Sequence, residues 1–341
     1  MAPLEGDIPF QPESGVRMAS VARRRLLIIG GAFIATSWSA WALSRHVRLG
    51  VLGPRKNSIL LPSVLGRLDE LGYREGRNLS IEYRSADGVV TRFPSLAREL
   101  IKAKCDLIIA VGTDEAAKAL VNAKANVPIV FLANDYDPVQ AGIIADMRRP
   151  GGNVTGVFLP TLEISAKRVE IMQEFIPKLR RLLVLADNFT NDQLQAVSRA
   201  AKSAHIEIIL QKLEVLPYNL GAAIANGRSA GAQALVALVS PVLFDQRKEL
   251  EDTIIKYGLP AVAGASAWGE RGYLFTYGAD YAKAFARAGD MVASILGGAK
   301  AGDLPVEQAT AFEFVVNLKV ARTLGIKVPQ AVLARANRVI E

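Results

Sequence analysis

Short apolar runs alternate with amphipathic stretches from Val47 almost to the C-terminus. Runs of four to eight apolar residues read as buried strands, and apolar residues spaced three and four apart read as helices packed on them. The pattern predicts strands at Val47–Leu52, Asn78–Arg84, Leu107–Val111, Pro128–Leu132 and Val154–Phe158. Between them it predicts helices at Ile59–Leu71, Thr91–Lys104 and Asp114–Ala125, with a shorter one starting at Pro138. After Leu159 and Pro160 a second series begins, with helices at Leu162–Phe175, Asn191–Ala204, Ala222–Ser229 and Val242–Tyr257. Its strands are expected at Arg181–Ala186, Glu207–Gln211, Ala234–Val239 and Ala261–Gly264. Tyr273–Tyr277 and Ala311–Val316 read as further strands, each leading into a helix, Ala279–Leu296 and Asn317–Leu324.

Strand-helix-strand repetition at this spacing forces parallel pairing with helices on both faces. The fold class expected is therefore α/β, with two doubly wound parallel-sheet lobes. A chain of 341 residues exceeds what one core usually organises, which agrees with two lobes. The tail is expected to cross back between them. The first lobe is expected to hold residues 47–159 and about 277–305, and the second residues 160–276 and about 306–341.

The N-terminus adds a destination. Arg23, Arg24 and Arg25 precede the apolar run Leu26–Ala35, and Ala40, Trp41 and Ala42 follow it, in the order of a secretory signal cleaved near Ala42. Thr36, Ser37 and Ser39 interrupt the run before it reaches the roughly 20 apolar residues of a spanning helix. Glu5, Asp7 and Glu13 are unusual ahead of such a signal, so Met18 is an alternative start. The expected location is the periplasm. Cys105 is the only cysteine and lies far from the cleavage site, so neither a disulfide within the chain nor a lipid on an N-terminal cysteine is expected.

The formal charge of +8 invites a nucleic-acid reading. The basic residues are scattered among acids, as in Arg67, Asp69, Glu70 and Arg247, Lys248, Glu249, Glu251, Asp252, and form no basic stripe. No nucleic-acid partner is expected. A transcriptional regulator is not expected either, because the leader occupies the place of a DNA-reading segment before Val47. Catalytic motifs are missing as well: the chain has no GxGxxG after a strand, no Walker loop and no GxSxG elbow. His46 and His205, the only histidines, lie at the mature N-terminus and a helix end, far from any triad or metal pattern. Glu249, Glu251 and Asp252 read as a solvated helix face. No catalytic residue, metal or cofactor is expected.

In open parallel sheets the loops at the carboxyl ends of the strands line the crevice, where helix N-termini present unpaired N–H groups. In the first lobe these loops supply Arg55, Asn57, Gly112, Thr113, Asn134, Asp135 and Asp137. In the second they supply Asn188, Phe189, Ser240, Ser266, Trp268 and Tyr277. Thr113 and the helix behind it suit a carboxylate, Asp135 or Asp137 an ammonium, and Phe189, Trp268 or Tyr277 an aromatic body. Each has a plainer reading. Thr113, Ser58 and Asp137 serve equally as helix caps, Asn134–Asp137 as a solvated turn, and the aromatics as core.

Several stretches then resemble one bacterial family. Leu71-Gly72-Tyr73, Glu75-Gly76, Asn78 and Ile81-Glu82-Tyr83 resemble a signature of ABC transporter substrate-binding proteins. Val111-Gly112-Thr113, Asp137-Pro138-Val139, Arg149–Gly156, Asp303–Gln308, Phe312–Pro329 and Leu333–Glu341 continue the likeness to the end of the chain. The resemblance implies a type I periplasmic binding protein with three crossovers, a small-molecule solute such as an aromatic amino acid, an ABC permease as partner, and a monomer. It matches Thr113, Asp137 and the turn Thr276-Tyr277-Gly278 to the family's loop positions, while Asp187–Thr190 and Trp268 depart from its pattern. It implies a periplasmic solute-binding component of an ABC importer. A ligand sensor signalling to a membrane receptor, or an exported enzyme, is the alternative.

Overall fold

The structure is a computed structural model that describes residues 45–341 apart from 57–60, 113, 135, 266–267 and 269–270. The leader and its cleavage site lie outside the described residues. Residues 46–341 form one compact unit.

The first sheet has the order β11-β5-β4-β3-β1-β2. Its strands are β1 Val47–Gly53, β2 Leu79–Ser85, β3 Leu107–Gly112, β4 Ile129–Asn134, β5 Val154–Leu159 and β11 Glu307–Gln308, all paired in parallel. Every residue of β3 is buried, which is why its sequence, LIIAVG, is apolar throughout instead of alternating. Helices α1 Leu61–Glu70, α2 Phe93–Lys102, α3 Asp114–Asn122 and α9 Tyr281–Leu296 cover it. Helix α2 shows how: Phe93, Leu96, Ala97 and Leu100 form one buried stripe.

The second sheet runs β13-β12-β10-β9-β8-β6-β7. It comprises β6 Arg181–Asp187, β7 Glu207–Leu213, β8 Ala234–Ala237, β9 Ala261–Ala263, β10 Phe275–Ala279, β12 Phe312–Asn317 and β13 Arg338–Ile340. Around it lie α4 Thr161–Phe175, α5 Asn191–Ser203, α6 Leu220–Ser229, α7 Pro241–Asp245, α8 Arg247–Tyr257, α10 Leu318–Thr323 and α11 Gln330–Leu333. The α/β reading with two mostly parallel sheets holds, with one correction: β12 pairs antiparallel with β10.

Three other expectations change. The helix placed at Pro138 is a turn: Ala141 N–H donates back to the Asp137 carbonyl, Gly142 then leaves the helical path at a left-handed φ of 70°, and Ile143 N–H closes the turn on the Pro138 carbonyl. The helix Val242–Tyr257 breaks at Gln246, whose φ of −93° and ψ of 15° leave the helical region. Residues 277–279 stay in the second sheet, since the ladder to β12 runs through Ala279, whereas β11 belongs to the first. The chain therefore crosses between sheets at Leu159–Thr161, Ala279–Tyr281 and Gln308–Phe312.

Candidate functional site

All three crossings lie toward the β5/β11 edge of the first sheet and at β10 and β12, next to the β13 edge, of the second. The carboxyl ends of both sheets therefore face one cleft, with the far edge strands β2 and β7 at its mouth. There the two lobes touch. Arg55 Nε donates to Asp245 Oδ2 at 2.6 Å, and Gly88 lies so close to the second lobe that a Cβ on it would sit 2.9 Å from Leu216 Cδ1.

Nearer the crossings, a cavity of about 580 Å3 lies between the lobes. Asp114, Lys118, Tyr136 and Asp137 line it from the first lobe, and Glu163, Asp192 and Arg199 from the second. Phe158, Leu159 and Pro160 of the first crossing and Gln308 of the third close its back. Asp114 and Lys118, one turn apart on α3, pair at 2.5 Å. That pairing offsets the desolvation of Asp114 and draws its carboxyl below the usual aspartate range. The Tyr136 hydroxyl is buried without a hydrogen-bond partner among the described residues, and burial raises its pKa.

The site residues expected in the first lobe divide as follows. Arg55 sits in the ion pair at the mouth, and its carbonyl accepts from the Tyr83 hydroxyl. Gly112 ends β3 at a φ of 91°, in the left-handed region that favours glycine, and so turns the chain toward α3. Asp137 lines the cavity while its Oδ1 accepts from the N–H groups of Val139 at 2.8 Å and Gln140 at 3.2 Å. Its local role is thus the capping alternative. Asn134 ends β4 opposite Leu159. Asn57, Thr113 and Asp135 lie outside the described residues.

In the second lobe, Asn188 is exposed and Phe189 half-buried. Ser240 is buried, caps α7 by accepting from the N–H groups of Val242 and Leu243, and donates its hydroxyl to Asp187. Trp268 is buried and meets the Phe244 ring edge-on with centroids 6.1 Å apart. Tyr277 is half-buried, its ring edge-on to Phe314. Ser266 lies outside the described residues.

Two residues outside the ligand set expected from the sequence organise this rim. Asp187, at the end of β6, accepts from Ser240, from the Tyr218 hydroxyl at 3.1 Å and from the Phe189 N–H at 2.9 Å. One carboxylate thereby ties together the loops after β6, β7 and β8. Burial pushes its pKa up against the opposing pull of those hydrogen bonds. Arg168, fully buried on α4, donates to the carbonyls of Tyr277 at 2.8 Å and Gly264 at 3.1 Å and to the Ser165 hydroxyl at 3.1 Å. It joins the ends of β9 and β10, where a Cβ on Gly278 would fall 1.6 Å from the Gly264 carbonyl oxygen. A signal for Arg168 was present: a cation on the face shared by Ile164, Ile171 and Met172, where a solvated helix puts none. Glu251 corrects the sequence reading in a similar way. Unlike Glu249 and Asp252 it faces inward, and burial raises its pKa.

Comparison with known proteins agrees with this architecture. A curated tyrosine-binding protein from Clostridioides difficile is 27% identical over 275 residues, spanning 76% of this chain and 74% of its own. A crystal structure of a conserved domain protein from Vibrio cholerae superposes with a TM-score of 0.71 at 26% identity, covering 86% of this chain and 100% of that one. A crystal structure of an ABC domain from Streptococcus pneumonia in complex with L-Trp gives a TM-score of 0.69 at 22% identity, again over 86% and 100%. Among the described residues, no helix is long and apolar enough to cross a membrane. The sequence profile described as ABC transporter substrate binding protein matches residues 62–340, and the chain belongs to that family.

Proposed function

We propose that the protein is the periplasmic solute-binding component of an ABC importer and that it closes its lobes over a small amphiphilic molecule, an amino acid or aromatic compound. The observation that carries this reading is the cleft itself, whose walls come from two lobes joined only at one edge and in contact at the other. A solute that touches both walls shifts the population toward closure, and the joined faces give a permease a surface that the open form lacks. The tyrosine-binding relative and the L-Trp complex support the choice of solute.

Within the cleft, the α3 N-terminus with Thr113 takes a carboxylate, and Asp135 or Asp137 takes an ammonium. The second-lobe aromatics Phe189 and Tyr277 flank an apolar body, while Trp268 packs edge-on against Phe244. A micromolar affinity requires about 8 kcal/mol, within reach of a few such contacts in a closed cleft. The test is a melting-temperature screen of the secreted protein against L-tryptophan, L-tyrosine, benzoate and sugars, with mass spectrometry of the recovered solute. A shift with the amino acids or benzoate and an unaltered solute is expected. A shift with sugars alone removes the solute assignment, and a chemically changed solute removes the carrier.

A further inference from the structure

We propose that Arg55 and Asp245 form a latch across the mouth of the cleft that biases the lobes toward closure in addition to the solute, making affinity depend on ionic strength. The inference rests on the interlobe reading of the site given above. The two residues are 190 apart in sequence and meet at 2.6 Å, with side chains 31% and 17% exposed. That is too sheltered for full screening by water and open enough for salt to reach.

Each half is held by contacts within its own lobe. On the first lobe the Arg55 carbonyl is fixed by Tyr83, a residue of β2. On the second, Asp245 ends α7, whose cap Ser240 is tied to the buried Asp187. The adjoining Gln246 bonds both the N–H and the carbonyl of Tyr218, at 3.0 and 3.1 Å, and so pins the loop after β7 beside Asp245. That loop brings Leu216 against Gly88, with Val242 behind it, so an apolar contact flanks the ion pair. Lips already ordered lose little side-chain freedom on meeting, and a pair between them keeps more of its Coulomb attraction than a pair of free surface side chains. The contact exists only when the lobes approach, so its free energy adds to closure alone.

The test titrates L-tryptophan and L-tyrosine by calorimetry, with small-angle scattering on the same samples, at about 0.05 M and about 1 M salt. It uses the wild type, Arg55→Met, Asp245→Asn, and the reversed pair Arg55→Asp with Asp245→Arg. Either single change is expected to weaken binding roughly threefold to tenfold and to enlarge the radius of gyration. High salt is expected to weaken the wild type by a similar factor and the single variants hardly at all, and the reversed pair is expected to restore the affinity. Unchanged affinity in Asp245→Asn, equal salt sensitivity in every form, or a reversed pair no better than the singles overturns the latch. Equal binding by all forms leaves the carrier intact without a latch. If the scattering of the variants differs as described while neither amino acid binds any form, the latch stands and the solute assignment falls.

Discussion

The two rims of the cleft are built from different materials. Among the described residues, tyrosines aside, Thr155 is the buried polar side chain of the first lobe, hydrogen-bonded to the Leu304 carbonyl at 2.8 Å. The second lobe buries Ser165, Arg168, Asp187, Thr190, Gln193 and Ser240 together at the carboxyl ends of its strands. Behind the first rim lies an apolar core that includes Leu52, Phe93, Ile108 and Phe131, and its charges pair at the surface, as Arg287 does with Glu307 and Asp290. An apolar core loses stability in proportion to the atoms removed, whereas in a buried polar network removing one member leaves the others unpaired in a low dielectric. The second rim is therefore expected to be the stiffer jaw, held by hydrogen bonds within its own lobe.

The most damaging change this comparison predicts is in the second jaw. Gly278→Val places a side chain on the Gly264 carbonyl and should cost more than about 4 kcal/mol, read as loss of folded protein or of the cooperative melt. A stable Gly278→Val variant would show that the ends of β9 and β10 can separate. Next comes a paired substitution. Arg168→Met strands the carbonyls of Gly264 and Tyr277 and should cost about 3–5 kcal/mol, while Arg287→Met on the first lobe should cost about 1 kcal/mol or less in denaturant melts. Similar costs for the two would erase the contrast between the rims.

The smallest effect is one of pH. Folding raises the pKa of Asp187, so between its unfolded and folded values the native state holds the proton that the unfolded chain has lost. Its contribution is fully present below the unfolded pKa and is lost as pH rises through the folded one. Asp187→Asn should accordingly gain on the wild type as pH climbs above the ordinary aspartate range. Denaturant midpoints measured side by side from acid to neutral pH would show this, and a constant difference would mean that the carboxyl is not strained by burial.

The strands and most helices were legible because burial on both faces demands continuous apolar runs, as in LIIAVG at Leu107–Gly112, and because α2 keeps a clean apolar stripe. The antiparallel β12 was not, since an isolated strand carries no mark of its direction. The turn after Pro138 was misread because Asp137 and Pro138 are also how a helix starts, and only Gly142 ends it. The loops lining the cleft were legible as loops, and Asp137 does face the cavity. The roles of Arg168, Asp187 and Gln193 were not legible, for a physical reason. Their partners are mostly backbone groups and residues far along the chain, such as Val239, which Gln193 meets through both its N–H and carbonyl. Even so, Gln193 shares its buried helix face with Ala196, Val197 and Ala201, an amide on an apolar stripe that signals a network.

The most direct test of two jaws closing on one guest is amide hydrogen exchange with and without whichever of L-tryptophan, L-tyrosine or benzoate raises the melting temperature. The account predicts simultaneous protection in both rims, around Tyr136–Gln140 in the first lobe and around Asp187–Thr190 and Ser240–Leu243 in the second, with the larger change in the first because the second is already bonded. Protection confined to one lobe, or protection far from both rims, would contradict it.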